Sequence, residues 1–94
     1  MNLADLVCET SIQIKNPEGL HMRPAMQFVD VANQFDCTIT VSNGQDSVDG
    51  KSIMQMLLLA ATQGTRLTIE AEGADAKEAC RALDALIKDK FDED

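Results

Sequence analysis

Tryptophan and tyrosine are absent from the 94-residue sequence, and phenylalanine occurs only three times. The chain therefore lacks the aromatic platforms on which single-stranded nucleic acids stack. Basic residues are scarce too: eight Lys and Arg stand against sixteen Asp and Glu, for a net charge of −8. A field of that sign repels phosphate backbones and anionic lipid headgroups. No apolar run approaches the roughly 18 residues that read as a membrane span. Neither a nucleic-acid partner nor membrane insertion is expected. Residues 1–6 have no basic flank and no long apolar stretch, so they read as a loose leader and not as a signal peptide. The three cysteines, Cys8, Cys37 and Cys80, are far apart and form no Cys-x-x-Cys pair. That favours free thiols in a reducing cytoplasm over a disulfide framework. Together with a single histidine they match no common zinc spacing, so no metal site is expected. Gly-x-Ser-x-Gly, the serine-hydrolase elbow, is missing as well.

What remains is a chain with 45% hydrophobic residues, enough for one modest core in a single domain spanning 1–94. From Val7 to Ile14, Cys8, Thr10, Ile12 and Ile14 alternate with Glu9, Ser11 and Gln13. Period two predicts a strand with one wet face. Asn16-Pro17-Glu18-Gly19 breaks it. Ala25, Phe28, Val29, Ala32 and Phe35 then recur at offsets of three and four, predicting a helix that Pro24 suits in its first turn. Cys37, Ile39 and Val41 alternate again, and Asn43-Gly44 signals a type I′ hairpin returning through Gln45 to Asp49. Ser52 is placed to cap a helix over the apolar stretch Ile53 to Ala61, with Gly64 ending it. Leu67, Ile69 and Ala71 mark a fourth strand. Asp75 and Glu78 resemble a capping box before a last helix carrying Ala76, Ala79, Cys80, Leu83, Leu86 and Ile87 on one face. The order is β-α-β-β-α-β-α, an α+β fold. Four strands with one polar face each call for an antiparallel sheet with the helices on one side.

His21, the single histidine, falls at the predicted start of the first helix, ahead of Met22-Arg23-Pro24. A helix N-terminus offers free N–H groups and the positive end of the macrodipole, which together hold anions. Pro24 has no N–H, so the backbones of Met22 and Arg23 supply the early donors. The Arg23 guanidinium suits phosphate oxygens. A neutral imidazole beside such a site can attack phosphorus and carry the phosphoryl group. The residues alone leave two readings open, a phosphoryl acceptor or a histidine that merely caps a helix.

Two segments carry a family resemblance. Gly19-Leu20-His21-Met22-Arg23-Pro24-Ala25 resembles the active-site motif of HPr, the histidine-containing phosphocarrier of the bacterial phosphotransferase system. Asp49-Gly50-Lys51-Ser52-Ile53-Met54 resembles the family's regulatory serine motif, at the family's separation. The resemblance implies an open-faced β-sandwich that works without a cofactor. It implies a stoichiometric carrier and not an enzyme. His21 would take a phosphoryl group at Nδ1 from phospho-enzyme I, ultimately from phosphoenolpyruvate. It would pass the group to a histidine on an enzyme IIA domain, for sugar uptake or regulation, with Arg23 stabilising the transferring charge. Ser52 would be phosphorylated by HPr kinase/phosphorylase, and a transcriptional regulator is a further implied partner. A cytoplasmic monomer suits a relay that shows one small face to successive partners. The sequence departs from the family pattern at Met22, where a small residue is common, and at Gln55, where glycine is common. The closing Phe91-Asp92-Glu93-Asp94 resembles the nitrogen-related branch of the same carriers.

Ile53, Met54, Met56, Leu57, Leu58 and Leu59 exceed what one buried helix stripe needs. The surplus predicts an exposed patch, and methionine suits a surface that meets several partners. By the resemblance, Ile53, Met54 and Leu57 would flank His21 and contact enzyme I and the acceptor domains. A regulatory binding module using the same patch is the alternative.

Overall fold

The structure, a computed structural model, describes residues 7–14, 22–59 and 64–90. The expected leader 1–6, the breaker after the first strand, Leu20, His21, Ala60 and Ala61 of the expected second helix, and the acidic tail 91–94 lie outside the described residues. The elements are β1 (Val7–Gln13), α1 (Met22–Ala32), β2 (Thr38–Ser42), β3 (Ser47–Asp49), α2 (Ile53–Leu58), β4 (Arg66–Glu72) and α3 (Ala76–Lys90). Their order is the expected one. The four strands form one sheet, β1-β4-β2-β3, and every neighbouring pair is antiparallel.

Period-two patterning decides which face of that sheet is dry. Ile12, Ile39, Val41, Leu67, Ile69 and Ala71 point to one side and are buried under Phe28, Val29 and Ala32 of α1, Met56 of α2, and Leu83 and Ile87 of α3. The opposite face is open. The register lines up Ser11, Thr68, Ser42 and Ser47 in one row across all four strands, and Glu9, Glu70, Thr40 and Asp49 in the next. Three of the sixteen acidic residues, Glu9, Glu70 and Asp49, thus lie in one row on a surface no described helix covers. Among the described residues, no helix is long and apolar enough to cross a membrane.

Two turns differ from expectation. The β2–β3 connection is a four-residue loop, since Ser42 pairs with Ser47. Asn43 builds it: its Oδ1 accepts from the N–H of Gln45 (3.0 Å) and Asp46 (2.8 Å), while its own N–H donates to the Asp46 carbonyl (3.1 Å). An Asn side chain that satisfies two backbone donors supports a wider loop than the two-residue Asn-Gly turn. β3 accordingly starts at Ser47 and not at Gln45. The second correction concerns α2. It ends at Leu58 with Leu59 as its right-handed C-cap, so Gly64 does not end it. Gly64 instead donates to the Ile14 carbonyl (2.7 Å), and Ile14 donates to Thr65 (2.8 Å), which joins the end of β1 to the start of β4.

Asp75 also does other work than the expected capping box. Its carboxylate reaches across to the segment before β2, where Oδ2 accepts from the Asp36 N–H (2.8 Å) and Oδ1 from the Cys37 N–H (2.9 Å). The bond from Asp36 chiefly, with the Cys37 thiol and N–H assisting, holds the Asp75 carboxyl below its ordinary value of 3.8. A depressed folded-state pKa contributes stability that is present above about pH 4 and fades as pH falls through the lowered value. Asp75→Asn should therefore be less stable than the parent at pH 7. The difference should vanish as pH falls below 3.8, read from urea midpoints across that range. Equal gaps at neutral and acid pH would show that the bonds do not depend on the charge.

Candidate functional site

α1 and α2 pack side by side on the sheet, and a short set of polar bonds fixes their spacing. α1 unwinds after Ala32 through bonds from Asn33, Gln34 and Phe35 back to Val29, Val31 and Ala32. The Asn33 amide then donates to the Lys51 carbonyl (3.1 Å), and the Lys51 ammonium donates to the Phe35 carbonyl (2.5 Å). The C-terminal end of α1 is thereby tied to the entry of α2.

That entry is itself highly specified. Ser52 is the N-cap, extended at φ −112° and ψ 115°, with its Oγ accepting from the Gln55 N–H (3.3 Å). The Gln55 side chain reaches back and accepts from the Asp49 N–H (2.9 Å), while the Asp49 carboxylate accepts from the Lys51 N–H (2.9 Å). Gln55 thus takes a variant of the capping box: its side chain accepts from the Asp49 N–H and not from that of the Ser52 cap, whose N–H donates to the Asp49 carbonyl (3.1 Å). The Ser52-x-x-Gln55 spacing carried that signal in the sequence, although Gln55 there stood out only as a departure from the family pattern. Gly50 matters for a different reason: a Cβ there would sit 2.7 Å from Ile39 Cγ2 and 3.2 Å from Phe28 Cε1, so the loop lies directly on the core.

Between the two helices runs an apolar groove of about 300 Å³, lined by Met26, Val29 and Asp30 of α1 and by Ile53, Met54 and Leu57 of α2. The expected patch residues Ile53, Met54 and Leu57 are brought together here. Met56 and Leu59 go to the core, while Met54 is 70% exposed and Leu58 77% exposed. Sequence reasoning missed Met26, which is 49% exposed. It lies one residue past the buried Ala25, where a polar residue would be usual, and an apolar residue just off the buried stripe was the available sign.

The N-terminus of α1 opens near this groove, since Met26 lies about one turn from Met22. The first turn of α1 contains no acidic residue, so nothing there opposes an anion at the positive end of the helix. Arg23 is exposed on that turn. His21 and Glu18 lie outside the described residues; in sequence His21 directly precedes the first residue of α1. Among the described residues, no group of His, Cys, Asp and Glu is arranged to hold a metal ion.

A helix start with no acidic residue in its first turn thus lies beside an apolar groove, on the helix-covered side of an open-faced sheet, an arrangement able to hold an anion next to a docking surface. A family model described as the PTS HPr component phosphorylation site matches residues 8–89. The phosphocarrier protein HPr of Pseudomonas aeruginosa is 47% identical over 83 residues, covering 87% of this chain and 92% of that protein. The phosphocarrier protein NPr of Proteus mirabilis is 43% identical over 84 residues, covering 88% and 93%. The crystal structure of HPr-C-His from Thermoanaerobacter tengcongensis superposes with a TM-score of 0.85 at 44% identity, over 93% of this chain and 98% of that one. The chain belongs to the HPr family, the phosphocarriers of the phosphotransferase system.

Proposed function

We propose that this carrier holds its phosphoryl group on Nδ1 of His21. The donor is phospho-enzyme I, charged from phosphoenolpyruvate, and the acceptor is a histidine of an enzyme IIA domain. In each transfer one bond to phosphorus breaks on the donor as another forms on the acceptor, so the carrier ends unchanged. The observation that carries this reading is the pairing of an acid-free helix start bearing Arg23 with the Met26–Met54 groove. Arg23 and the first backbone N–H groups, those of Met22 and Arg23, stabilise the moving charge as preorganised donors do. Ile53, Met54 and Leu57 dock the partners. Met54 in particular is large, adaptable and exposed, which suits successive partners of different shape.

Ser52 is the regulatory position in this proposal. It is half-buried at the rim of α2, two residues from Met54. A phosphate there adds roughly −2 charge at a helix start, which the helix tolerates and an acidic partner surface does not. A kinase of the HPr kinase/phosphorylase type and a transcriptional regulator complete the partners, with the carrier acting as a cytoplasmic monomer.

The test is intact mass after incubation with phosphoenolpyruvate, enzyme I and magnesium, followed by peptide mapping. One acid-labile phosphate on His21 is expected, lost again when an enzyme IIA domain is added. A phosphate on another residue, or no phosphate with a competent enzyme I, overturns the reading. Retention of the phosphate with every acceptor domain would favour a signalling module over a relay.

A further inference from the structure

Three thiols gather at the end of the sheet remote from the groove. Cys8 sits near the start of β1, six residues before Ile14, or about 20 Å along an extended strand. The register sets Cys8 directly opposite Ala71 of β4. Cys80, buried on the inner face of α3, lies close enough to Cys8 and to the same Ala71 for both to bear on its thiol. With only a methyl at position 71, no bulky side chain separates them. α3 packs on β1, and Cys8 and Cys80 line one cavity between them. Cys37 lies beyond Cys80 and is engaged by Asp75.

The three are not equivalent. Burial first, then Cys8, pushes the Cys80 thiol up to about 12. Burial first, then the hydrogen bond to Asp75, pushes Cys37 up to about 11. Both are buried and held as thiols. Cys8 is half-buried and opens on a cavity of about 480 Å³ whose rim includes Lys77, Arg81, Glu9 and Asp84. Access to solvent is what makes one cysteine of such a set the first to react.

We propose that Cys8 and Cys80 are a peroxide-reactive pair, in which Cys8 is oxidised by a hydroperoxide entering this cavity and Cys80 resolves it as an intramolecular disulfide. In the first step the Cys8 thiolate attacks the O–O bond. An S–O bond forms, the peroxide is reduced, and hydroxide or alkoxide leaves. In the second step the Cys80 sulfur displaces the hydroxyl of the Cys8 sulfenic acid. The S–S bond forms and water leaves, with the Cys80 proton. The net change is two thiols and one hydroperoxide to one disulfide, water and the corresponding alcohol or a second water. Reversal requires a dithiol reductant, which fits the transient disulfides of reducing compartments. The bridge ties β1, an edge strand held by β4 alone within the sheet, to α3. It lies away from the Met26–Met54 groove, so it bears on release of the edge strand and not on docking.

The experiment treats the full chain with hydrogen peroxide, alkylates it with N-ethylmaleimide under denaturing conditions, and reads intact mass and peptide maps. The expected product has lost two hydrogens, carries one alkyl group on Cys37, and yields a Cys8–Cys80 linked peptide that dithiothreitol releases. Cys37→Ala should form the same bridge at parental yield. Cys80→Ala, folded as judged by circular dichroism, should stop at a sulfenic acid on Cys8 that dimedone traps. Oxygen added at Cys8 while Cys80 remains alkylatable, a Cys37–Cys80 bridge, or dimers linked through Cys8 would each overturn the proposal.

Discussion

Replacing Met54 by Asp is expected to lower kcat/KM for phosphoryl uptake from enzyme I by about a hundredfold, the scale of losing one buried interface anchor. Met54 forms the most exposed wall of the groove, and apolar residues fill the remainder apart from Asp30. A partner that docks there must cover the side chain. Covering an aspartate leaves a charge without solvent or partner, which is far worse than losing a methionine's contact area. Folding is expected to be unaffected, because a side chain 70% exposed in the free protein contributes little to the core. The added charge itself needs a control, since the chain already carries −8. Gln45→Asp adds the same charge on an exposed loop between β2 and β3 and should transfer at the parental rate. Steady-state kinetics with limiting carrier would decide it. Equal rates for both variants would place the docking face elsewhere, and equal losses for both would make the effect one of overall charge.

The parts of this protein that were legible in its sequence are those written in local periodicity. Alternation in Cys8–Ile14 and Arg66–Glu72 assigned the dry face of β1 and β4 correctly, residue by residue. The three-and-four spacing of Ala76, Ala79, Cys80, Leu83, Leu86 and Ile87 did the same for α3, where all are buried except the half-buried Leu86. The excess of apolar residues after Ser52 foretold an exposed patch, because a single helix stripe can bury only some of them. What was not legible depends on long-range geometry. Asp75 looked like a local cap, but its carboxylate serves the backbone of Asp36 and Cys37, 39 and 38 residues away. The hairpin loop widened because the Asn43 side chain could satisfy two N–H groups, which composition alone does not reveal. Nor does spacing show that Met26 would face Met54, since that requires the packing of α1 on α2. The rows of hydroxyls and carboxylates on the open face needed the register of four strands, which no local pattern encodes.

Gly73→Ala should be the most damaging glycine-to-alanine change among the described residues, at about 3–5 kcal/mol from combined backbone strain and overpacking. Gly73 follows β4 at φ +146°, a region that side-chain-bearing residues rarely enter. A Cβ placed there would lie 2.8 Å from both Cα and Cβ of Cys37. Those atoms cannot step aside as the end of a flexible side chain does. Cys37 is the last residue before β2, and the N–H groups of Asp36 and Cys37 are both held by Asp75 at the start of α3. To admit the methyl, the chain must break that clamp or part β2 from β4 at Thr38 and Glu72, which pair directly beside it. Against the roughly 5–15 kcal/mol of a typical domain, such a loss is a large share of the total. For a chain of this size it corresponds to a fall in Tm of about 12–40 °C. Gly64→Ala separates the two contributions. Gly64 also has positive φ, +90°, but a Cβ there meets nothing within 4 Å. It should show the backbone strain alone, about 1–2 kcal/mol. Urea unfolding of both variants gives the comparison. If Gly73→Ala were no worse than Gly64→Ala, the close approach of Cys37 would be compliant, and the Asp75 clamp would not be holding this corner of the sheet.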